Sequence, residues 1–411
     1  SMRKRKGANQ STSMVVTRSS LNGLARCAGR YLQMMHLMPS AAAHIFGGLC
    51  QLFDLYICNV FHGFIPAVER ENFLAKKTKM ISQAPDQEKD YEALELYLER
   101  ALSEVIKYMK IDEVKSDSKD PMESTGFNWE TVPVSSILQM PGVIENCDGT
   151  SFFGLNARIV AAESCWFAAT ILLEIKSKLS LLLPDSYKAS CDKYVSQFQL
   201  ISSQLRALIY RSICPQLIES NMILAQIVDV GGWDSKKHRS VDTWAEKMIK
   251  NCESVWNYMG NNDEFAEAAS LVREQVWLEL CQANFDVVLD GVCRAKRVSS
   301  EGRLAMIRDV VAIQEGLEKI HTCRSPRTLP HVEAYLRSAS LASEEMMLWI
   351  QDNYQSYAYR HMYGLVVQTF SSVMSINQTR LKEAISFLDE LYDVHDTEDE
   401  SKDISNIFSK R

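Results

Sequence analysis

Apolar residues recur at three- and four-residue intervals along most of the chain, the spacing of helices that bury one face. The first such stretch carries Leu21, Leu24, Cys27, Ala28, Tyr31, Leu32 and Met35 and stops at Pro39. Ser40 stands where an N-cap is wanted, and Ile45, Leu49, Leu52, Phe53, Tyr56 and Val60 carry the period on to Gly63 and Pro66. Together the two stretches predict a helical hairpin. Residues 86–114 are polar and helix-prone, with Leu94, Leu98, Val105 and Met109 as a thin seam.

Farther on, Leu155, Ile159, Ala162, Trp166, Ala169 and Leu173 predict a helix running toward Leu183 and Pro184. Tyr187, Cys191, Tyr194, Phe198, Ile201, Leu205 and Leu208 then alternate in steps of four and three, a heptad seam that requires a partner helix. Another stripe holds Leu271, Leu278, Cys281, Phe285, Val288 and Val292, and the next Met306, Val310, Ile313, Leu317 and Ile320. After Pro326 and Pro330, Ser343 before Glu344 and Glu345 predicts a capped helix bearing Met347 and Ile350. Strand-like alternation bounded by turns is missing.

Two stretches break the period. Residues 1–20 carry Arg3, Lys4, Arg5, Lys6 and Arg18 with little apolar material, which predicts a disordered basic tail. Residues 115–150 hold Pro121, Pro133, Pro141 and three glycines, which predicts a flexible linker or loop. The expected layout is a tail at 1–20, a helical hairpin region at 21–114, the linker at 115–150, helical bundles at 151–392 and an acidic tail at 393–411. The predicted helices far exceed the roughly 11-residue average, and single cores stop growing near about 250–300 residues. The fold class expected is therefore all-α, an elongated stack of antiparallel helix bundles forming a helical rod.

Composition agrees. The 17 glycines and 10 prolines are about 7% of 411 residues, too few for a turn-rich all-β fold. Eleven cysteines, with no CxxC pair, read as reduced thiols rather than a disulfide framework or zinc fingers. The formal charge of -7 gives the chain no general attraction to nucleic acid. The most apolar run, Ala41 to Phe64, is interrupted by His44, Asp54 and His62, so no transmembrane helix is expected. No secretion signal is indicated either. Ser1-Met2 reads as an expression scar, which predicts a piece of a longer protein.

Searches for catalytic patterns return no GxGxxG, phosphate loop, HExxH, GxSxG or EF-hand, and the eight histidines include no i,i+4 pair. No cofactor, metal or catalytic residue is expected. The nearest exception is Asp389-Glu390-Leu391-Tyr392-Asp393, similar to the magnesium-binding turn of all-helical diphosphate-processing enzymes. Because the acids run on through Asp396, Glu398, Asp399, Glu400 and Asp403, a solvated tail is the favoured reading. Arg3 to Lys6 admits a nuclear-import signal or a patch for anionic lipid, which would make the chain a generic nuclear or cytosolic helical adaptor. The favoured reading there is an unstructured lead-in. Arg294, Lys296, Arg297, Arg303 and Arg308 gather around one helix start as a candidate interaction patch for an anion or acidic partner, against the plainer reading of a solvated face. Trp233, Trp244, Trp256, Trp277 and Trp349 read as packing anchors.

Several local stretches, in order, carry a family resemblance. They are Tyr31-Leu32-Gln33-Met34-Met35 with Gln51-Leu52-Phe53-Asp54; Gly154-Leu155, Arg158-Ile159-Val160-Ala161-Ala162-Glu163-Ser164 and Trp233-Asp234 with Lys236; and Ser300-Glu301-Gly302-Arg303 with Met306, Asp309, Tyr335 and Trp349-Ile350. In these the chain resembles the C-terminal region of the syndetin family of vesicle-tethering subunits, departing from its pattern at Arg308 and in the long acidic tail. The resemblance implies a helical rod of the kind shared by the exocyst and the Golgi tethering complexes. It implies a non-catalytic role in the endosome-associated recycling complex. The implied partners are the subunits shared with the Golgi-associated retrograde complex, with SNAREs and small GTPases, and no nucleic acid. The implied location is cytoplasmic, peripheral on recycling endosomes or the trans-Golgi network. From the residues themselves, Ser300 reads as a helix cap and Trp233-Asp234 as a junction between helices.

Overall fold

The computed structural model describes residues 6–66, 70, 93–98, 100–101, 149–229, 233, 240–261, 270–295, 298–322, 326, 328–371 and 378–392, and for 6–20, 149–151, 229, 270–271, 371 and 378–379 the backbone alone. Among these residues every regular element is helical and none is a strand, so the fold is all-α. The chain divides into two units, one of the described residues up to Ser212 and one of those from Ile213 on.

In the first unit, α1 (Lys6–Leu37) and α2 (Ala42–Phe64) form the expected hairpin around a 3-10 turn at Pro39–Ala41. Proline at the start of that turn moves the α-helical start past Ser40, and Ala41, not Ser40, occupies the N-cap of α2. Helix α1 also takes in residues 6–20, where the composition predicts a tail; extending a helix that already exists avoids the cost of nucleation. The predicted linker lies outside the described residues, apart from its end in the 3-10 helix Gly149–Gly154.

Helices α3 (Leu155–Leu182) and α4 (Asp185–Leu217) complete the unit, with α3 against α1 and α2. The buried seam of α3 runs through Arg158, Ala161, Cys165, Ala168, Leu172 and Leu179, a heptad. Of the residues the spacing picks out, Leu155, Ile159, Ala162 and Ala169 are buried as well, whereas Trp166 and Leu173 are exposed. On α4 the heptad is buried at Cys191, Phe198, Ile201 and Leu205, and Tyr187 is exposed. Its partner is α2: Phe198 meets Phe53 edge-on at 5.3 Å, and Tyr194 meets Phe46 at 6.3 Å. Residues 93–98 are helical and bury Leu94 and Leu98; the Leu94 N–H donates to the Gln204 side chain at 2.8 Å.

Within Pro39–Phe64 an 18-residue window with a mean hydropathy of 1.3 is long and apolar enough to cross a membrane by length and composition alone. Its chemistry is that of a core helix. Phe53, Ile57 and Phe61 are buried, and Asp54 accepts hydroxyls from Tyr97 and from Tyr194, the latter at 2.8 Å.

The second unit comprises α5 (Ser220–Asp229), α6 (Thr243–Asn261), α7 (Ser270–Arg294), α8 (Ser300–Ile320), α9 (Thr328–Ser338), α10 (Ser343–Asn353), α11 (Tyr359–Ser371) and α12 (Gln378–Leu391). Helix α7 is its axis, in contact with α5, α6, α8, α9 and α11. It is therefore buried on nearly every side, from Val276 and Trp277 through Leu280, Phe285 and Val288 to Val292 and Cys293. The predicted stripe on α8 is buried at Met306, Val310, Ile313 and Leu317. On α10 Ala342 holds the N-cap and Ser343 is already helical, one residue off the expected cap.

Because Phe198 fills the seam and Tyr187 does not, Phe198→Ala should cost about 3–5 kcal/mol and Tyr187→Ala within about 0.5 kcal/mol. Urea unfolding of the two variants checks the contrast.

Candidate functional site

The predicted basic patch lies where α7 ends and α8 begins. Ser299, not Ser300, caps α8: its Oγ accepts the Gly302 N–H at 3.0 Å and donates to the Trp233 carbonyl at 2.8 Å. The Ser299 N–H donates to the same carbonyl at 3.0 Å. That carbonyl is so close to α8 that a Cβ at position 302 would stand 2.0 Å from it, so only glycine fits. Trp233 is anchored in turn by its indole N–H, which donates to Ile227 O at 2.9 Å. Two stretches of the family resemblance, 66 residues apart, thus meet at one junction.

Around this junction two of the described basic residues, Arg303 and Arg308, lean on the fold. Arg308 donates to Ser240 O at 2.9 Å. Arg303 is half-buried, and burial pulls its guanidinium pKa down. Arg294 closes α7, where its charge helps keep Asp290 ionised. Lys296 and Arg297 lie outside the described residues.

In the first unit the resembling residues are also ties. Buried Arg158 on α3 donates to Phe64 O at 3.0 Å, at the end of α2, and to Ser212 Oγ of α4 at 2.7 Å. Glu163 accepts from Arg206 at 2.7 Å and from the Tyr210 hydroxyl at 2.6 Å, and Ser164 bonds back to Val160 O. Nucleophile and base are not paired in either set.

The densest polar cluster, which sequence reasoning missed, sits at the end of α7. Arg360 grips both Asp290 oxygens at 2.7 and 2.9 Å, and His361 Nε2 lies 2.7 Å from Oδ1. Despite burial, the hydrogen bond from His361 and the charge of Arg360 hold the Asp290 pKa down; burial lowers that of His361. Gln368 supplies its amide to Val292 O, Cys293 O and Ala295 O at 2.6, 3.2 and 2.8 Å, covering carbonyls that the helix end leaves open. Asp290, Cys293 and His361 bring ligand atoms within 4.8 Å of one another, as a metal would require. The Arg360 guanidinium already occupies both carboxylate oxygens, and burial raises the Cys293 thiol to about 12, so the cluster is an ion pair. Nothing local announces it: Asp290 and Arg360 stand 70 residues apart.

Of the acidic turn, Asp389 accepts the Tyr359 hydroxyl at 2.6 Å and Asp393 lies outside the described residues. The tryptophans are packing groups: Trp233, Trp244 and Trp277 are buried, Trp349 meets Tyr357 at 5.4 Å, and Trp256 stacks on His321 at 4.3 Å under Arg273. The nine described cysteines are all free.

A family model described as Syndetin, C-terminal, matches residues 152–386, more than half of the chain. Proteins named Syndetin from Gallus gallus, Mus musculus and Rattus norvegicus are each 23% identical to it over 384 residues, 93% of its length. Those residues are 38%, 37% and 37% of the three relatives, so the chain spans well under half of the proteins it matches.

Two outcomes follow from the ion pair. Asp290→Ala leaves the half-buried Arg360 without its carboxylate and should cost about 1–3 kcal/mol in urea unfolding. His361 resists protonation in the fold, so its contribution is present above about pH 6.5 and is lost as pH falls. The loss of stability as pH falls below about 6.5 should accordingly shrink in His361→Gln.

Proposed function

The chain belongs to the syndetin C-terminal family, and from that premise we propose that it is the C-terminal part of a non-catalytic subunit of a vesicle-tethering complex in endosomal recycling. The match over residues 152–386 carries this reading. The physical chemistry supports it: the strongest charged and polar groups are spent joining helices, at Asp290–Arg360, Glu163–Arg206 and Ser299–Trp233, leaving function to surfaces. The proposed partners are other tethering subunits, shared with the Golgi-associated retrograde complex, together with SNAREs and small GTPases. The proposed location is peripheral, on recycling endosomes or the trans-Golgi network. Within the basic patch, Arg294, Lys296 and Arg297 are the residues we assign to partner contact, since Arg303 and Arg308 lean on the fold.

The tagged full-length protein should co-purify with other tethering subunits and give endosomal puncta in imaging. A diffuse nuclear signal without those subunits would instead support the adaptor reading of Arg3 to Lys6.

A further inference from the structure

Two turns of the first unit come together at one of its ends. Arg158, near the start of α3, reaches Phe64 O at the end of α2 and Ser212 near the end of α4. Away from that end, Lys176 of α3 pairs with Asp192 of α4 at 2.9 Å, and the Phe46 ring of α2 meets Tyr194 of α4. On α1, Tyr31 stands where a Cβ on Gly48 of α2 would come within 3.1 Å of it. The turn between α1 and α2 therefore lies at the same end as the turn between α3 and α4.

Both turns carry exposed apolar side chains. Met34, Leu37 and Met38 are exposed at the first and Leu181 and Tyr187 at the second, with Leu37 77% and Leu181 86% accessible. A single exposed leucine is ordinary, whereas several gathered at one tip mark a contact surface. Charge narrows what it contacts. On these four helices, within about two turns of the tip, the acids are Asp185 and Asp192, and each already pairs with a lysine, Lys188 at 2.6 Å and Lys176 at 2.9 Å. Arg30 and Lys178 are exposed there in addition, with His36 and His44, and the next acid of α3, Glu174, stands farther back. The tip is thus locally basic in a chain whose formal charge is -7.

We propose that this tip inserts into the surface of an anionic membrane. Leu37, Met38 and Leu181 enter the boundary between headgroups and acyl chains, while Arg30 and Lys178 meet the anionic headgroups. Two leucines so exposed line no groove that a partner helix would fill, whereas a fluid interface accepts a convex tip. Along their helices Lys178 stands about 4.5 Å and Arg30 about 10 Å back from the leucines, the depth at which headgroups lie when the apolar tip is buried. As a detail of the peripheral placement proposed above, the contact rests on that reading for which membrane is met.

Flotation of the full chain with vesicles of phosphatidylcholine and phosphatidylserine, mixed about three to one, tests this. The unaltered chain should float with them and bind phosphatidylcholine vesicles at least about tenfold less. Leu37→Glu combined with Leu181→Glu should lower partitioning onto the mixed vesicles at least about tenfold, with the thermal midpoint unchanged because both positions are exposed. Arg3 to Lys6 stay in that variant, so undiminished flotation puts the contact elsewhere and overturns the proposal. Failure of the unaltered chain to float, or equal binding to phosphatidylcholine alone, overturns it as well. Should the variant not fold, amide hydrogen exchange of the unaltered chain decides: slowing at residues 37–42 and 181–186 on adding the mixed vesicles supports the insertion, and no slowing there overturns it. Co-purification with tethering subunits is a separate readout, so a failure here is distinct from a failure of the subunit assignment.

Discussion

A helix buried on almost every side has no water to turn to, and α7 imposes that constraint on the second unit. Five helices cover it, so its apolar residues are satisfied by packing alone. Its end is the difficulty, because the last carbonyls of any helix lack intrahelical donors and here they are enclosed. Gln368 answers by presenting one amide to three carbonyls, and α11 lies close enough for this because residue 364 is glycine. A Cβ there would stand 2.3 Å from the Cys293 carbonyl oxygen. Asp290, one turn before the end, adds a negative charge to the same enclosed region, and Arg360 and His361 from α11 meet it.

The same economy governs the residues through which the family is recognised. Arg158, Glu163, Trp233, Gly302 and Asp309 look in isolation like a scatter of polar and special residues. In space each completes a junction: Arg158 closes the end of α2, Glu163 pins α4, and Trp233 offers the carbonyl around which α8 starts. Local signatures in a non-catalytic helical protein are more readily understood this way. An apolar seam tolerates exchange among Leu, Ile and Met, whereas a carbonyl facing a glycine or a buried guanidinium between two helices tolerates little.

Much of the fold was legible because its signal is local. Helical period, proline punctuation and the heptad on α4 identified most elements, and the seam of α4 found its partner in α2. Caps were missed by one residue at Ser40, Ser300 and Ser343, since a helix start depends on the turn before it as well as on a serine. On α3, apolar residues occupy more than one face, so spacing chose Trp166 and Leu173 over Cys165 and Leu172. The site was far less legible. Asp290 with Arg360, and Asp242 with Asp309, are joined across 70 and 67 residues by packing that no window of sequence contains.

Apolar seams and polar ties do different work. Seams supply most of the stability, but a stripe of aliphatic residues can slide by a turn at modest cost, as overlapping choices on α3 suggest. An enclosed ion pair adds little net energy once desolvation is counted, yet a one-turn slip would leave both charges unpaired at a cost of several kcal/mol. The contact of Arg360 Nη2 with both Asp290 oxygens therefore selects which turn of α11 faces α7. That selection fixes Gly364 against Cys293 O and Gln368 over the helix end, so one charged contact sets the register for the rest of the interface.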